Sequence, residues 1–422
     1  MSASVASAQA ILRKGWPLVS QAASNPYANT GKWILGTAGL VVGMIHVGGV
    51  TRLTQSGLSM TDWSPLGSLP PISKKDWEKE FDRYKLFPEW QQRKSMTLSD
   101  FQFIYAWEYG HRMLGRFVGV AFAMPWMYFT FKGRIPKGYQ KRMVGLLAMG
   151  GTQGMVGWWM VKSGLGDDRR DEKREIRVRP VRLTSHLSMA LATYGALLWT
   201  GFDILGIPQE ANIKDQVKKL SKDALRHAQK LRSTSLVLAG LTFCTAASGG
   251  LVAGNDAGRA YNTWPTMGDE WIPSEIMDLV PWQRNLTENT ATVQFNHRIL
   301  GTTTAFTALY LVGAGLSRNR GMLLTPQARN GLYAVGIAAT GQFALGVTTL
   351  LTYVPFSLAA AHQLGSVVVF TSGLYLAHSL RYARPALVRA VVTSSISTSA
   401  STTSRGVTAT VAQVAASGAK AV

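Results

Sequence analysis

Glu108-Tyr-Gly-His111-Arg112-Met-Leu-Gly115 recurs 186 residues later as Gln294-Phe-Asn-His297-Arg298-Ile-Leu-Gly301. Each copy lies in an apolar stretch of the length a bilayer needs, about 20 residues per helix. Working outward, the likeness continues. Gly48-Gly49, Gly57 and Trp63 return as Gly249-Gly250, Gly258 and Trp264 at one constant offset, and Gln153…Gly157 returns as Gln342…Gly346. Ser185-His186-Leu187 returns more loosely as Ala361-His362-Gln363. The chain is therefore read as a tandem duplication.

Eight apolar spans are predicted, over 33–51, 103–131, 143–161, 184–206, 233–253, 292–316, 330–351 and 355–380. The mean hydropathy is only +0.06, because charged loops dilute the apolar segments. The fold expected is an all-α polytopic membrane protein. Eight transmembrane helices would form two tandem four-helix bundles, related by a pseudo-twofold axis along the membrane normal. The divisions are 1–32, an N-terminal segment with presequence character; 33–206, the first half; 207–232, a basic linker; 233–380, the second half; and 381–422, a Ser/Thr/Ala-rich tail.

The net charge of +21 is mostly a topology signal. Lys132, Arg134, Lys137, Lys141 and Arg142 follow span two, and Arg318, Arg320 and Arg329 follow span six, both without acids. Asp256, Asp269, Glu270, Glu275, Asp278 and Glu288 outnumber bases after span five. Both termini are thus expected on the inner, matrix-like side. The loop 162–183 dissents, with Arg169, Arg170, Lys173, Arg174, Arg177, Arg179 and Arg182 interleaved among five acids. No nucleic-acid-binding motif accompanies the charge. Cys244 is the single cysteine, which excludes an internal disulfide and any thiolate metal cluster.

Of seven histidines, His111, His186, His297 and His362 belong to the repeat and lie near the starts of spans two, four, six and eight. These spans run in the same direction, so the four imidazoles are expected at similar depth, toward the outer face. Ionisable groups inside a membrane are costly and usually functional. Two histidines per half suit a metal, and bis-histidine ligation of haem iron suits a four-helix bundle. Gly115 and Gly301, one turn from His111 and His297, leave room for a flat macrocycle. Arg112 and Arg298 are candidate partners for propionates. His46, His227 and His378 lack repeat partners and are assigned no haem role. Glycines 48, 49, 249 and 250 read as helix-packing or helix-ending features first, with direct substrate contact as the alternative.

The halves differ at Glu108, which is Gln294 in the second copy. A carboxylate can take up a proton where an amide cannot. Glu108 is either catalytic, or the helical ion-pair partner of Arg112, or both.

These motifs, with GGVTRLTQSGLSMTDW (48–63) and NDAGRAYNTWP (255–265), resemble those of the haem A synthase family over roughly 33–380. The resemblance implies oxidation of the C8 methyl group of haem O to a formyl group, by successive hydroxylation, giving haem A for cytochrome oxidase. It implies a haem b cofactor on His297 and His362, substrate haem on His111 and His186, and Glu108 as the acidic residue beside the substrate. The cysteine-free first loop (53–100) resembles the mitochondrial branch, which implies an inner-membrane location with the haem sites toward the intermembrane space. The partners implied are haem O and haem A, a ferredoxin-type electron carrier, haem O synthase, membrane lipid and a second copy of the chain; nucleic acid is not expected. The residues leave open a di-haem electron-transfer cytochrome and, less well supported, a two-repeat transporter.

Overall fold

A computed structural model of the chain describes residues 25–388 apart from 65, 167–174, 209–212, 214–216, 218–219 and 318–323. The presequence reading of the first 24 residues, the tail from 389, much of the dissenting basic loop and parts of the inner loops lie outside the described residues. The described chain is helical, and its one β pairing is the isolated Met267–Glu270 bridge.

The long helices are α1 (Ala28–Leu53), α3 (Leu98–Phe131), α4 (Gln140–Lys162), α5 (Pro180–Leu205), α6 (Lys222–Gly254), α7 (Thr290–Leu316), α8 (Pro326–Leu351) and α9 (Phe356–Ser379); a shorter α2 (Lys74–Tyr84) lies between α1 and α3. Five of these, α1, α6, α7, α8 and α9, are long and apolar enough to cross a membrane. The other three are as long but less apolar. Asp100, Glu108, Arg112 and Arg116 interrupt α3, Arg182 and Asp203 stand in α5, and α4 is rich in glycine. Large apolar side chains point outward on several helices, among them Phe117, Met124, Leu309, Ile337 and Val368. Such exposure suits a hydrocarbon surround.

Helix α1 packs on α3 and α5, and α4 completes the ring by packing on both. In the same order, α6 packs on α7 and α9, with α8 closing that ring. The rings meet where α5 touches α6 and where α9 touches α1 and α5. Between membrane helices, close backbone approach replaces the hydrophobic effect as the adhesive. A Cβ at Gly201 would come within 2.5 Å of Leu35, and one at Gly31 within 2.7 Å of Leu205, so α1 and α5 are in near-backbone contact. At the seam Gly49 receives Gln363, whose Nε2 donates to the Ile45 carbonyl (3.2 Å), and its repeat mate Gly250 receives Thr184 and Leu187. Arg52 ties the C-terminal ends of α1 and α6 by donating to the Ala253 carbonyl (2.5 Å) and pairing with Asp256 (3.5 Å).

Two elements differ from the sequence expectation. Helix α6 starts at Lys222 instead of 233, so residues 222–232 of the basic linker are helix. The Ser221 side chain accepts from the Ala224 N–H (3.2 Å), and Leu225, Ala228 and Leu231 are buried along one face. The loop after α1 also holds helix α2. A capping box of Ser73 with Asp76 starts it, and Phe81 and Tyr84 pack with Trp77 on Phe101 and Tyr105 at the head of α3.

A short 3₁₀ turn, Pro88–Gln92, follows α2 in this loop. Glu89 is buried there, accepting from the Tyr84 hydroxyl (3.0 Å) and pairing with Arg93 (3.3 Å), which donates to Gln55 (2.6 Å). Burial outweighs these partners and pushes the Glu89 carboxyl from 4.5 up to about 7. Its folded pKa lies above its unfolded one, so folding binds a proton. The resulting stability is full below pH 4.5 and lost as pH rises through about 7, on the order of 3 kcal/mol in all. Hydrogen-exchange protection factors of residues 81–93, which divide out the intrinsic pH dependence of amide exchange, should therefore fall between pH 5 and 7 in the native chain, and Glu89→Gln should flatten that fall.

Candidate haem sites

The sequence places one histidine on each of α3, α5, α7 and α9, and the fold brings them together in two pairs. The His111 and His186 ring centroids are 6.5 Å apart at an interplanar angle of 77°. Those of His297 and His362 are 6.4 Å apart at 86°. Two imidazole nitrogens about 2 Å from one metal on opposite sides, with each ring centre about 1 Å further, would set the centroids about 6 Å apart. Both pairs have the spacing of axial ligands to a single iron. Among the described residues no three His, Cys, Asp or Glu side chains converge. A histidine pair suits an iron whose other four ligands a porphyrin supplies better than it suits a bare ion.

Each ring lies against a glycine of a neighbouring helix. A Cβ at Gly48 would stand 2.9 Å from the His111 ring, one at Gly157 2.8 Å from His186, one at Gly249 3.2 Å from His297 and one at Gly346 2.7 Å from His362. Both glycine pairs are conspicuous in the repeat, but reading Gly48 and Gly249 as packing residues missed that they seat the imidazoles. Gly115 and Gly301 have little beside them, the nearest contacts to a built Cβ being Met44 at 3.4 Å and Thr245 at 3.9 Å. That leaves space on the His111 and His297 faces for a flat group.

Gln153 and Gln342, also repeat mates, hold the other two histidines. Gln153 Nε2 donates to the His186 carbonyl (3.1 Å), and Gln342 Nε2 donates to the His362 carbonyl (2.9 Å) and lies 3.1 Å from its Nδ1. An alanine at Gly157 or Gly346 must push the facing ring aside. Gly157→Ala and Gly346→Ala should therefore each lower the haem bound to the purified protein several-fold, read by pyridine haemochrome spectra.

Glu108 is buried and points toward the loop after α1. Its Oε2 accepts from the Ser59 hydroxyl (2.7 Å) and the Met60 N–H (3.0 Å), and its Oε1 accepts from Arg112 (2.6 Å). Arg112 also donates to the Met60 and Asp62 carbonyls, both at 2.8 Å. The second half repeats this clamp. Gln294 donates to the Ala257 carbonyl (2.6 Å) and accepts from Arg298 (2.9 Å), which donates to the Tyr261 (2.8 Å) and Thr266 (2.9 Å) carbonyls. Both arginines thus tie the loops after α1 and α6 to α3 and α7, which accounts for much of their donor capacity. The ion pair read from the helical spacing of Glu108 and Arg112 is present.

The remaining histidines stand apart. His46 lies on α1 and His227 near the start of α6. His378 is buried, 3.1 Å from Asp203 and flanked by Trp199 and Phe202; Asp203 also pairs with Arg142 at 2.6 Å. At 1.5 Å per residue, His378 is about 24 Å along α9 from His362. It ties α9 to α5 at the far end of the helices from the histidine pairs.

Fold and site together define an all-helical membrane protein with two matched bis-histidine sites on a duplicated frame. The chain belongs to the COX15-CtaA family of cytochrome oxidase assembly proteins, which matches residues 31–374. It is 43% identical to heme A synthase COX15 of Arabidopsis thaliana over 389 residues, 92% of this chain and 82% of the relative. It is 43% identical to heme A synthase COX15 of Homo sapiens over 83% of this chain and 82% of the relative. It is 39% identical to heme A synthase of Paracoccus denitrificans over 85% and 90% respectively.

Proposed function

We propose that the chain is a haem A synthase, an oxidoreductase that converts the C8 methyl group of haem O to the formyl group of haem A. The observation that carries this reading is the inequality of two otherwise matched sites. The histidine pairs agree in spacing to 0.1 Å, yet a carboxylate, Glu108, stands by one and an amide, Gln294, by the other. Full-length relatives named heme A synthase support it.

In this reading His297 and His362 hold a resident haem b, which supplies redox capacity when bound. The ring spacing, the glycine seats and the neutral Gln294 fit that group. His111 and His186 receive haem O as substrate. By successive hydroxylation the methyl carbon reaches the geminal diol, with an external co-reactant supplying the oxygen and an external carrier exchanging the electrons, and loss of water leaves the formyl group. Glu108, one helical turn from His111, is the carboxylate placed to hold or move a proton at that edge. Arg112 and the loop 59–62 hold its carboxylate in place and keep bulk water from the reacting edge.

All eight long helices cross the bilayer in this account, as two four-helix bundles about a pseudo-twofold axis, supported by the matching order of packing in the two rings. Both termini face the matrix and the haem sites face the intermembrane space of mitochondria. A ferredoxin-type electron carrier, haem O synthase and a second copy of the chain are the partners this account carries with it.

The near-identical pair spacing also suits a di-haem electron-transfer cytochrome. Expression in a host that makes haem O but no haem A decides between them. Haem A should appear in its membranes, and membranes that keep only haems B and O would overturn the enzymatic reading.

A further inference from the structure

Ser248 immediately precedes the glycine on which His297 rests. Its Oγ lies 2.7 Å from the Thr245 carbonyl oxygen and 2.7 Å from His297 Nδ1. A hydroxyl has one proton, and a carbonyl can only accept. The Ser248 proton therefore goes to Thr245, and the hydroxyl oxygen accepts from the Nδ1–H of His297. That bond holds His297 in the tautomer whose Nε2 carries a free lone pair, the nitrogen an iron takes.

The offset that carries Gly48 to Gly249 carries Val47 to Ser248. Valine has neither donor nor acceptor, and His111 Nδ1 is buried without a hydrogen-bond partner. The two imidazoles share a glycine seat, a following arginine and the spacing to their partner histidine. They differ in whether the second ring nitrogen is held.

We propose that Ser248 is a positioning residue that makes His297 a permanent and strongly donating iron ligand, and that Val47 in the matching place leaves His111 free to release iron. The inference rests on the reading that His297 and His362 hold resident haem while His111 and His186 hold exchanging haem. A hydrogen bond from Nδ1–H fixes the ring's rotation and raises the basicity of Nε2, which favours ferric over ferrous iron and slows ligand loss. A histidine without that anchor can swing away against little more than its packing on Gly48. A site that must give up a product haem at each turnover needs that freedom.

The test uses the full-length protein in lipid nanodiscs, as wild type, Ser248→Ala, Ser248→Thr and Val47→Ser. Haem b midpoint potential is titrated spectroelectrochemically, and haem transfer to apomyoglobin is timed. Ser248→Ala should raise the potential and speed transfer about 10-fold, while Ser248→Thr, which keeps the hydroxyl, should match wild type. Val47→Ser should retain haem O or haem A through purification in higher yield and lower kcat with little change in KM. Unchanged potential and transfer rate in Ser248→Ala would overturn the role of Ser248. Unchanged retention of haem O and haem A in Val47→Ser would overturn that of Val47. Failure of the underlying site reading is seen separately, as a wild-type haem b spectrum in His297→Ala, whatever the Ser248 variants do.

Discussion

His297→Ala is expected to strip haem b from the purified protein and abolish haem A formation with it. In the function proposed the imidazole is one of two axial ligands, and no third His, Cys, Asp or Glu among the described residues joins the pair to replace it. Losing even a hydrogen-bond partner of a metal ligand typically costs 10- to 100-fold in affinity, so losing the ligand itself should cost more than about 100-fold. His362→Ala should behave alike. His378→Asn is the control, since His378 binds Asp203 at the distant end of α9 and should leave the haem spectrum unchanged. Optical spectra at matched protein concentration read all three.

Glu108→Gln is expected to lower haem A production by about 100-fold or more while haem b content stays at the wild-type level. The amide fills the same volume, and Gln294 shows that an amide can work in this clamp when it faces a carbonyl, Ala257. Glu108 instead faces the Met60 N–H and the Ser59 hydroxyl. An amide nitrogen turned that way opposes a donor, and an amide oxygen turned that way leaves its NH₂ toward Arg112. Some loosening of residues 59–62 is therefore expected, visible as faster hydrogen exchange. Haem A lost with the loop still protected identifies a proton-handling role. Haem A formed normally would reduce Glu108 to a strut for the loop.

The helices, the duplication and the four histidines were legible in the sequence because each leaves a periodic or repeated mark. Apolar windows locate spans, and an exact recurrence such as His-Arg-x-Leu-Gly survives without any structure. Helix α2 was hidden because its sequence, KKDWEKEFDRY, reads as a charged loop until Trp77, Phe81 and Tyr84 are seen to share one face; the capping residues Ser73 and Asp76 were the available signal. The early start of α6 was obscured by the basic residues of 222–232, whose apolar stripe is Leu225, Ala228 and Leu231. The partner of Glu108 could be read from i, i+4 spacing. Its bonds to Ser59 and Met60 could not, since no local rule fixes where a loop folds back. The glycine seats are tertiary contacts between helices and carry no local signature beyond the glycines themselves. The Ser248 and Val47 difference carries no signal in the sequence, because its meaning depends on which ring nitrogen each position faces across two helices.

In the function proposed, two geometrically matched histidine pairs do different work, one holding a cofactor and the other a substrate. Acid extraction and mass identification of the haems bound to purified wild type and to a His111→Ala, His186→Ala double variant tests it most directly. Wild type should yield about one haem b per chain with haem O or haem A besides, and the double variant should keep the haem b and lose the others. Two haems b per wild-type chain, or loss of haem b from the double variant, would contradict it.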